Sequence, residues 1–247
     1  MRLLGGRFRL GARASGRSAI GLLWWDLGSF ICESYFRIFY RIRSRGGERV
    51  PDSGPLVLVS NHQSYFDPIL NSTAASKRPY TAIAGSHLTR FKPFGWLLKS
   101  YGTVFVSASA GDKGPLKAAI SALKQERVVL VYPEGTRTSD GFVGEFQKGL
   151  LLVLRRAPAT IVPMGIDGVH DVWPRGRSIP RLWGRVAVVV GEPITPDQVG
   201  AMGPEELLNT LRGEVDTLRL EARTILREQS GGRWPPPGPN DEPSPDL

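Results

Sequence analysis

The stretch from Leu56 to Pro68 constrains the fold of this chain more than any other. It begins after Gly54-Pro55 as an uninterrupted apolar run, which predicts a buried strand. The run ends in polar residues, and Asp67-Pro68 then opens a new apolar segment. Aspartate at the N-cap followed by proline is a helix-start signal, because the carboxylate accepts an unpaired N–H and proline has none to leave unpaired. The stretch therefore predicts a strand, a short connection and a helix.

His62 and Asp67 stand at the two ends of that connection. An imidazole can take a proton from a hydroxyl, and a carboxylate on its other ring nitrogen fixes the tautomer and stabilises the imidazolium. In α/β sheets, ligands bind at the carboxyl ends of strands, where this connection lies. The residues alone leave an alternative, in which Asp67 only caps the helix and His62 bonds to the backbone.

The remaining chain alternates between strand and helix patterns, which indicates an α/β fold with a mostly parallel central sheet flanked by helices. The predicted strands after the first are Tyr80–Gly85, Thr103–Ser107, Arg127–Tyr132, Thr160–Met164 and Val186–Gly191. Besides the helix that starts at Asp67, the predicted helices are His87–Tyr101 with a break at Pro93, Pro115–Gln125, Gln147–Arg156 and an amphipathic helix that begins at Pro204.

The positive charge of the chain is concentrated near its N-terminus. Residues 1–50 hold ten arginines and three acidic residues, which gives +7 of the net charge of +9. Residues 1–17 are rich in Arg and Gly without periodicity, and we expect them to be mobile. From residue 18 to 45, large apolar and aromatic residues are followed by interleaved arginines, which is typical of an amphipathic helix in the headgroup layer of a membrane.

We therefore expect residues 18–50 to form a membrane-associating helical segment with an anionic membrane surface as its partner. Asp26 and Glu33 interrupt the apolar run and make it a poor transmembrane helix. A helix that packs in the core with solvated arginines is the alternative. Nucleic acid is not an expected partner, because so many large apolar side chains would be left in water.

Composition indicates the extent of the folded domain and excludes several kinds of site. Residues 51–229 are expected to form the α/β domain, and residues 230–247, with six prolines and three acidic residues, a disordered tail. The single cysteine, Cys32, excludes an internal disulfide framework and suits a reducing compartment. The three histidines lack metal-ligand spacing, and glycine-rich nucleotide motifs and the serine nucleophile elbow are absent from the sequence.

A second strand end carries a polar loop with the sequence Tyr132-Pro133-Glu134-Gly135-Thr136-Arg137. We expect it at the same edge of the sheet as the His62 connection. Gly135 lets the backbone approach a ligand closely, and the guanidinium of Arg137 can bind a phosphate or carboxylate through two parallel N–H groups. A plain turn with a solvated arginine is the alternative.

The two motifs together, Asn61-His62-x-x-x-x-Asp67 and then Tyr132-Pro-Glu-Gly-Thr-Arg137, resemble those of the glycerolipid acyltransferases, the family that includes the 1-acylglycerol-3-phosphate acyltransferases. The resemblance extends to residues 93–98 and to Ile161–Met164, and it spans residues 35–195. It implies that His62 is a general base and that Asp67 orients it. It also implies that Glu134, Gly135, Thr136 and Arg137 bind the acceptor and its phosphate.

The resemblance further implies the reaction. A fatty acyl group would pass from acyl-CoA or acyl-carrier protein to the hydroxyl of a lysolipid in phospholipid synthesis, with 1-acylglycerol-3-phosphate as the first candidate. His62 would deprotonate that hydroxyl for direct attack on the thioester, so that no metal or bound cofactor is required. The enzyme would work at a membrane, on its cytoplasmic face.

One position departs from the family's pattern. In the family the strand that corresponds to residues 102–108 commonly ends in an arginine, a second phosphate contact, and here Ala108 stands at that position, with Lys113 as the nearest cation downstream. Either Lys113 or another cation substitutes, or the acceptor is a different lysolipid, not a simple phosphomonoester.

Three further alternatives stay open. A non-catalytic membrane-binding protein of the same fold would have no use for the His62–Asp67 pair, although the alanine at position 108 would suit it. Hydrolysis of a thioester or lipid would require water to outcompete the lipid hydroxyl. Asp167 and His170 form a second candidate pair, but nothing around them resembles a nucleophile loop.

Overall fold

The computed structural model describes residues 18–75, 78–85, 89–90, 92–106 and 113–245. The centre of the described part is a sheet of seven strands. In chain order the strands are β1 (Arg43–Arg45), β2 (Leu56–Ser60), β3 (Tyr80–Gly85), β4 (Val104–Val106), β5 (Val128–Val131), β6 (Thr160–Asp167) and β7 (Ala187–Val190). Across the sheet they follow the order β1-β7-β6-β2-β5-β3-β4.

Helices cover both faces of this sheet. In chain order they are α1 (Ala19–Tyr40), α2 (Asp67–Ala74), α3 (Lys92–Ser100), α4 (Gly114–Lys124), α5 (Gly149–Arg156), α6 (Val169–Val172), α7 (Pro196–Ala201) and α8 (Pro204–Ser230). The pair β6–β7 is antiparallel, and every other pair of neighbouring strands is parallel. The predicted α/β fold with a mostly parallel sheet is confirmed.

Strand β2 lies between β5 and β6, and all five of its residues are buried. Leu56 and Leu58 pack into the core beneath α1 and α2, whereas Val57 and Val59 pack into the core beneath α4, α5 and α8. Because both faces of the strand are covered, the positions from Leu56 to Val59 do not favour polar residues. This explains the uninterrupted apolar run in the sequence.

The long helix α8 crosses β6 at Gly165. A Cβ atom on this residue would lie 2.2 Å from the backbone nitrogen of Arg219 and 2.3 Å from the carbonyl carbon of Leu218. Only glycine permits so close an approach of a helix backbone to a strand. The contact fixes α8 against the same strand whose carboxyl end reaches the candidate site.

Helix α1 runs across the sheet from the side of β4 to the side of β1. Near its start, Trp24 stacks on Tyr101 with ring centroids 5.5 Å apart. At its end, the hydroxyl of Tyr40 donates to the carbonyl of Arg181 at 2.8 Å. Trp25 and Tyr40 are buried in the core below, so one side of α1 is a packed face of the domain.

The structure ends this helix earlier than the sequence predicts. Arg41 adopts a left-handed conformation with φ of 44° after Tyr40 and turns the chain. Arg43 and Arg45 therefore lie in β1, an edge strand that pairs in parallel with β7. The expectation of a helical segment over residues 18–50 is therefore wrong beyond Tyr40, because the three exposed polar residues of β1 carry no apolar alternation from which a strand can be predicted.

The C-terminal tail also differs from the disordered segment that its composition predicts. Through residue 245 it lies against α8, where the carboxylate of Asp241 pairs with Arg223 at 2.5 Å and with Arg227 at 2.6 Å. The hydroxyl of Ser244 donates to the buried carboxylate of Asp216 at 2.7 Å. Polar contacts with α8, which composition does not reveal, hold a segment that has few apolar residues of its own.

Several predicted features fall beyond the part of the chain that the structure describes. They are residues 1–17, His87 at the start of the predicted helix His87–Tyr101, Ser107 at the end of a predicted strand, and Ala108. The described part of that helix begins at Lys92, with Pro93 in its first turn, where proline costs no hydrogen bond.

Candidate active site

Two loops leave the sheet side by side at its carboxyl edge. Val59 pairs with Val131 at the ends of β2 and β5, so the β2 loop (residues 61–66) and the β5 loop (residues 132–138) start as neighbours. The backbone N–H of Thr138 donates to the carbonyl of His62 at 2.7 Å. The structure thus brings the two sequence motifs together, as the parallel pairing of their strands requires.

His62 and Asp67 form a hydrogen-bonded pair, with Nδ1 and Oδ2 2.7 Å apart. The same carboxylate oxygen accepts the backbone N–H groups of Gln63 at 2.6 Å and Ser64 at 2.8 Å. Asp67 is completely buried, whereas the His62 side chain is 21% exposed. A carboxylate held by several N–H donors stays where it is placed, so it fixes the orientation of the imidazole.

The use of Asp67 differs from the helix cap that the sequence predicts. Helix α2 begins at Asp67 itself, with Phe66 at the N-cap position. The carboxylate turns back and caps the N–H groups of the β2 loop instead of those of its own helix. The loop and the helix are therefore joined through one side chain, which is the residue paired with His62.

The remaining ring nitrogen of His62 is available. A carboxylate can only accept from Nδ1, so Nδ1 carries the proton and Nε2 presents a lone pair. Among the described residues none bonds to Nε2. The ring of Tyr132 stacks on the imidazole with centroids 4.1 Å apart and planes 15° apart. The imidazole is thus clamped between a carboxylate and an aromatic ring.

Tyr132 is held in place by a hydrogen bond from α2. Its hydroxyl accepts from the side-chain amide of Asn71 at 3.1 Å. Burial raises the pKa of the Tyr132 hydroxyl well above its usual range, with the nearby Asp67 charge adding to the effect. The hydroxyl therefore stays neutral, and Tyr132 contributes packing to the site. The sequence motif contains this tyrosine, but nothing in the motif indicates that its ring lies on His62.

Buried amide side chains anchor the β2 loop to β6. The side-chain amide of Asn61 donates to the carbonyl of Ile166 at 2.9 Å and accepts from the N–H of Ile166 at 2.8 Å. It thus bonds to both backbone groups of Ile166, as a residue of a neighbouring strand would. Gln63 donates to the carbonyl of Gly141 at 3.1 Å and accepts from the N–H of His170 at 3.2 Å. These bonds hold the backbone on both sides of His62.

Glu134 lies inside the protein instead of facing the open side of the loop. One carboxylate oxygen accepts the backbone N–H of His62 at 2.8 Å, and the other accepts the N–H of Gly144 at 3.2 Å. Burial raises the pKa of this carboxyl group to about 7, against the opposing effect of the two N–H bonds. Glu134 thus ties the β5 loop to His62, a position that differs from the acceptor contact implied by the resemblance.

The other three residues that the resemblance implies for acceptor binding, Gly135, Thr136 and Arg137, face outward. Gly135 has φ of 73°, and its N–H closes a turn onto the carbonyl of Tyr132 at 3.0 Å. Gly135 and Thr136 are exposed, and Arg137 is partly exposed. The guanidinium of Arg137 lies 3.7 Å above the ring of Tyr65, and no carboxylate among the described residues pairs with it.

The second candidate pair does not form. Asp167 pairs with Arg223 at 3.0 Å, and Nε2 of His170 lies 3.2 Å from the carbonyl of Ser139. Lys113, the cation considered as a substitute at the position of Ala108, precedes the first turn of α4 and is exposed.

Comparison with known proteins fits this geometry. Residues 41–167, slightly more than half of the chain, match the model of the family described as Acyltransferase. The chain belongs to the Acyltransferase family. The matched region contains β2, β5, both loops and nearly all of the site described above.

Two curated relatives carry more specific names. A chloroplast 1-acyl-sn-glycerol-3-phosphate acyltransferase of Arabidopsis thaliana is 30% identical over 159 residues, which cover 63% of this chain and 44% of the relative. A lyso-ornithine lipid O-acyltransferase of Pseudomonas aeruginosa is 29% identical over 123 residues, 47% of this chain and 46% of the relative. This chain thus spans less than half the length of each.

A solved structure has the same fold. The crystal structure of the 1-acyl-sn-glycerophosphate acyltransferase from Thermotoga maritima superposes with a TM-score of 0.70, at 24% identity, over 89% of this chain and 86% of that one. The Thermotoga maritima protein and this chain therefore share the mostly parallel sheet with flanking helices.

Proposed function

We propose that this member of the Acyltransferase family transfers a fatty acyl group from acyl-CoA or acyl-carrier protein to the hydroxyl of a lysolipid, with 1-acylglycerol-3-phosphate as the first acceptor. The observation that carries the proposal is the 2.7 Å bond between His62 and Asp67, which leaves Nε2 of His62 unbonded. The name of the Arabidopsis relative supports the choice of acceptor.

The proposed chemistry needs only that pair and the two substrates. Nε2 of His62 takes the proton of the acceptor hydroxyl while its oxygen attacks the thioester carbonyl carbon. The tetrahedral intermediate collapses, the carbon–sulfur bond breaks, and the departing sulfur receives the proton from the imidazolium. Asp67 stabilises the imidazolium in between. No metal ion and no bound cofactor takes part.

A protein nucleophile is not part of the proposal. Ser60 and Ser64, the serines nearest to His62 in the sequence, are buried. The hydroxyl of Ser60 donates to the carbonyl of Asn61 at 3.2 Å, and that of Ser64 accepts the N–H of Phe66 at 3.3 Å. Both hydroxyls are thus used inside the protein, which supports direct attack by the acceptor.

The β5 loop supplies groups for the developing negative charge. The N–H of Gly135 is used in its own turn. The backbone N–H groups of Thr136 and Arg137 have no acceptor among the described residues, and the loop around them is open. We assign the oxyanion to these two N–H groups and the acceptor phosphate to the guanidinium of Arg137, which can bind it through two N–H groups.

A membrane surface is the proposed partner of α1. The outer side of this helix carries large apolar side chains that are between 50% and 78% exposed. They are Ile20, Leu23, Leu27, Phe30, Ile31 and Ile38. No helix within the described residues is both long enough and apolar enough to cross a bilayer.

An apolar helix face with arginines at one end fits an anionic lipid surface, in which the helix lies parallel to the plane. Trp96 of α3 and Trp183, which packs 4.9 Å from Phe39, are more than half exposed and extend this face. Together with the single cysteine, which suits a reducing compartment, this supports a location on the cytoplasmic face of a membrane.

A different lysolipid is the second candidate acceptor. Two observations favour it: Ala108 stands where the resemblance implies a phosphate-binding arginine, and the relative from Pseudomonas aeruginosa is named for lyso-ornithine lipid. A non-catalytic role is less well supported, because the hydrogen-bonded His62–Asp67 pair has no purpose in it.

An acceptor panel tests the proposal. Purified full-length protein is supplied with labelled acyl-CoA, or with labelled acyl-carrier protein, and with a series of lysolipids that includes lysophosphatidic acid and lyso-ornithine lipid. We expect labelled phosphatidic acid as the main product. Preference for another lysolipid would select the second acceptor, and label found only in free fatty acid would replace acyl transfer by hydrolysis.

A further inference from the structure

A second cationic site lies at the end of α1. An open cleft of about 410 Å³ is lined by Arg37, Arg41, Ile42, Arg43, Arg185 and Gln229. Its four arginines come from three places in the chain: the last turn of α1 and the residue that follows it, the start of β1, and the residue before Val186. No carboxylate is among the described residues that line the cleft, and Glu33, which pairs with Arg37, lines the adjoining groove.

The side chains of two of the four arginines of the cleft bond to described residues, and those of the other two do not. Arg37 pairs with Glu33 at 2.7 Å, and Arg185 donates to the backbone carbonyl of Gln229 at 3.2 Å. The guanidinium groups of Arg41 and Arg43 have no hydrogen bond or ion pair with any described residue. Desolvation lowers the pKa of Arg185, and the charges of Arg41, Arg233 and Arg43 add smaller effects in the same direction.

The cleft lies at the same edge of the sheet as the candidate active site. Ala187 of β7 pairs both with Asp167, the last residue of β6, and with Arg43, the first residue of β1. Three strand spacings separate β1 from β2 in the sheet, which is roughly 14 Å. The cleft is thus close to the β2 loop and yet separate from His62 and Arg137.

The cleft also adjoins the apolar outer face of α1. Phe39, one residue before the helix ends, packs on the exposed ring of Trp183. If that face lies among lipid chains, the arginines at the helix end lie at the depth of lipid phosphates. Guanidinium groups suit such a site, because they are weakly hydrated and match the geometry of phosphate.

We propose that this arginine cleft is a second phosphate-binding site, which holds the headgroup phosphate of an anionic bilayer lipid beside the site of acyl transfer. The inference rests on the proposed attachment of α1 to a membrane but not on the acyl transfer itself. The bound lipid is a structural partner and leaves the reaction unchanged. It fixes the orientation in which the active-site edge meets the membrane.

Two double variants of the full-length protein test the site. Arg41→Gln with Arg43→Gln removes two unpaired charges, and Arg41→Lys with Arg43→Lys keeps the charges but removes the forked geometry. The matched control is Arg155→Gln with Arg156→Gln, which removes two exposed arginines from α5 on the opposite face of the sheet. Binding is measured on phosphatidylcholine vesicles with and without phosphatidylglycerol.

We expect the glutamine pair to bind anionic vesicles at least about tenfold more weakly, since each charge near the surface contributes about a factor of five. The lysine pair should lose about threefold, and the control less than twofold. Equal binding by the lysine pair and the wild type, or an equal loss in the control, would mean diffuse surface charge and would overturn the proposal.

Chemical protection identifies the source of the phosphate. Phenylglyoxal modifies accessible arginines, and peptide mass spectrometry reports the modification of Arg43. We expect phosphatidylglycerol vesicles to protect Arg43 in the wild type and equally in His62→Ala, which separates this site from catalysis. Protection by coenzyme A or glycerol 3-phosphate, without protection by vesicles, would assign the cleft to a soluble phosphate and overturn the lipid assignment.

Discussion

The two loops that meet at the candidate site are built in opposite ways. In the β2 loop the side chains of Asn61, Gln63 and Ser64 are completely buried, and their polar atoms are bonded inside the protein. In the β5 loop Gly135 and Thr136 are exposed, and neighbouring N–H groups have no acceptor among the described residues. One loop holds a side chain in place, and the other offers donors to a ligand.

This contrast separates two requirements of acyl transfer. A general base must be held in one rotamer at hydrogen-bond distance from the proton that it removes. A binding loop must instead keep its donors unsatisfied until the substrate arrives. We therefore expect loss of the His62 side chain in the β2 loop to lower kcat, and loss of the Arg137 side chain in the β5 loop to raise KM for the acceptor.

The largest effect is expected from His62→Ala. Removal of a general base typically costs a factor of about 10²–10⁴, and we expect this loss in kcat with little change in KM. His170→Ala is the matched control, because His170 contacts Ser139, the residue after the β5 loop, but is not paired with Asp167. Near-wild-type turnover by His62→Ala would remove this residue from the mechanism.

Asp67→Asn should lower kcat by a smaller factor, or by a similar one if the imidazole tautomer flips. It should also destabilise the fold, since three donors bond to one carboxylate oxygen, and the other oxygen is buried with no partner among the described residues. We expect a loss of about 2 kcal/mol in the free energy of unfolding by denaturant titration. An unchanged unfolding midpoint would contradict the role of Asp67 as the anchor of the β2 loop.

Arg137→Ala should act mainly on acceptor binding. A charge-assisted hydrogen bond contributes about 1.5–3 kcal/mol, so KM for lysophosphatidic acid should rise by about 10–100-fold. Arg137→Lys keeps the charge and should recover part of that loss. If kcat falls and KM stays constant, the contrast between the two loops is wrong at this residue.

Glu134→Gln tests the bond that joins the two loops. Burial raises the pKa of Glu134 from 4.5 to about 7, so folding favours its neutral form. The stability from this shift is present below pH 4.5 and is lost as the pH rises through 7. Glutamine does not titrate, so between pH 4.5 and 8 the wild type should lose up to about 3 kcal/mol more unfolding free energy than the variant. Parallel stability curves of the two proteins would contradict the raised pKa.

The sequence predicts the β2 loop's chemistry better than its construction. The βα unit and the proximity of His62 and Asp67 follow from a local pattern, because a strand covered on both faces leaves a long apolar run and Asp-Pro marks a helix start. The same pattern wrongly predicts that Asp67 caps its own helix, whereas its carboxylate accepts N–H groups of the β2 loop. Glu134 could not be placed from the sequence, because it bonds to a backbone N–H 72 residues away.

Long-range contacts explain the other differences as well. Strand β1 has three exposed residues, and only its pairing with β7 makes it a strand. The tail has the composition of a disordered segment, and Asp241 is ordered by arginines of α8 that are spaced for one helix face. Neither case has a local signal, since the partner lies elsewhere in the chain.

The most direct test of the central claim is a search for an acylated protein. Wild-type protein is incubated with labelled acyl-CoA without an acceptor, its intact mass is measured, and lysophosphatidic acid is then added. Direct attack by a hydroxyl that His62 activates predicts an unchanged protein mass and label in the lipid only after the acceptor is present. A protein that carries one acyl group, which then passes to the lysolipid, would contradict this mechanism.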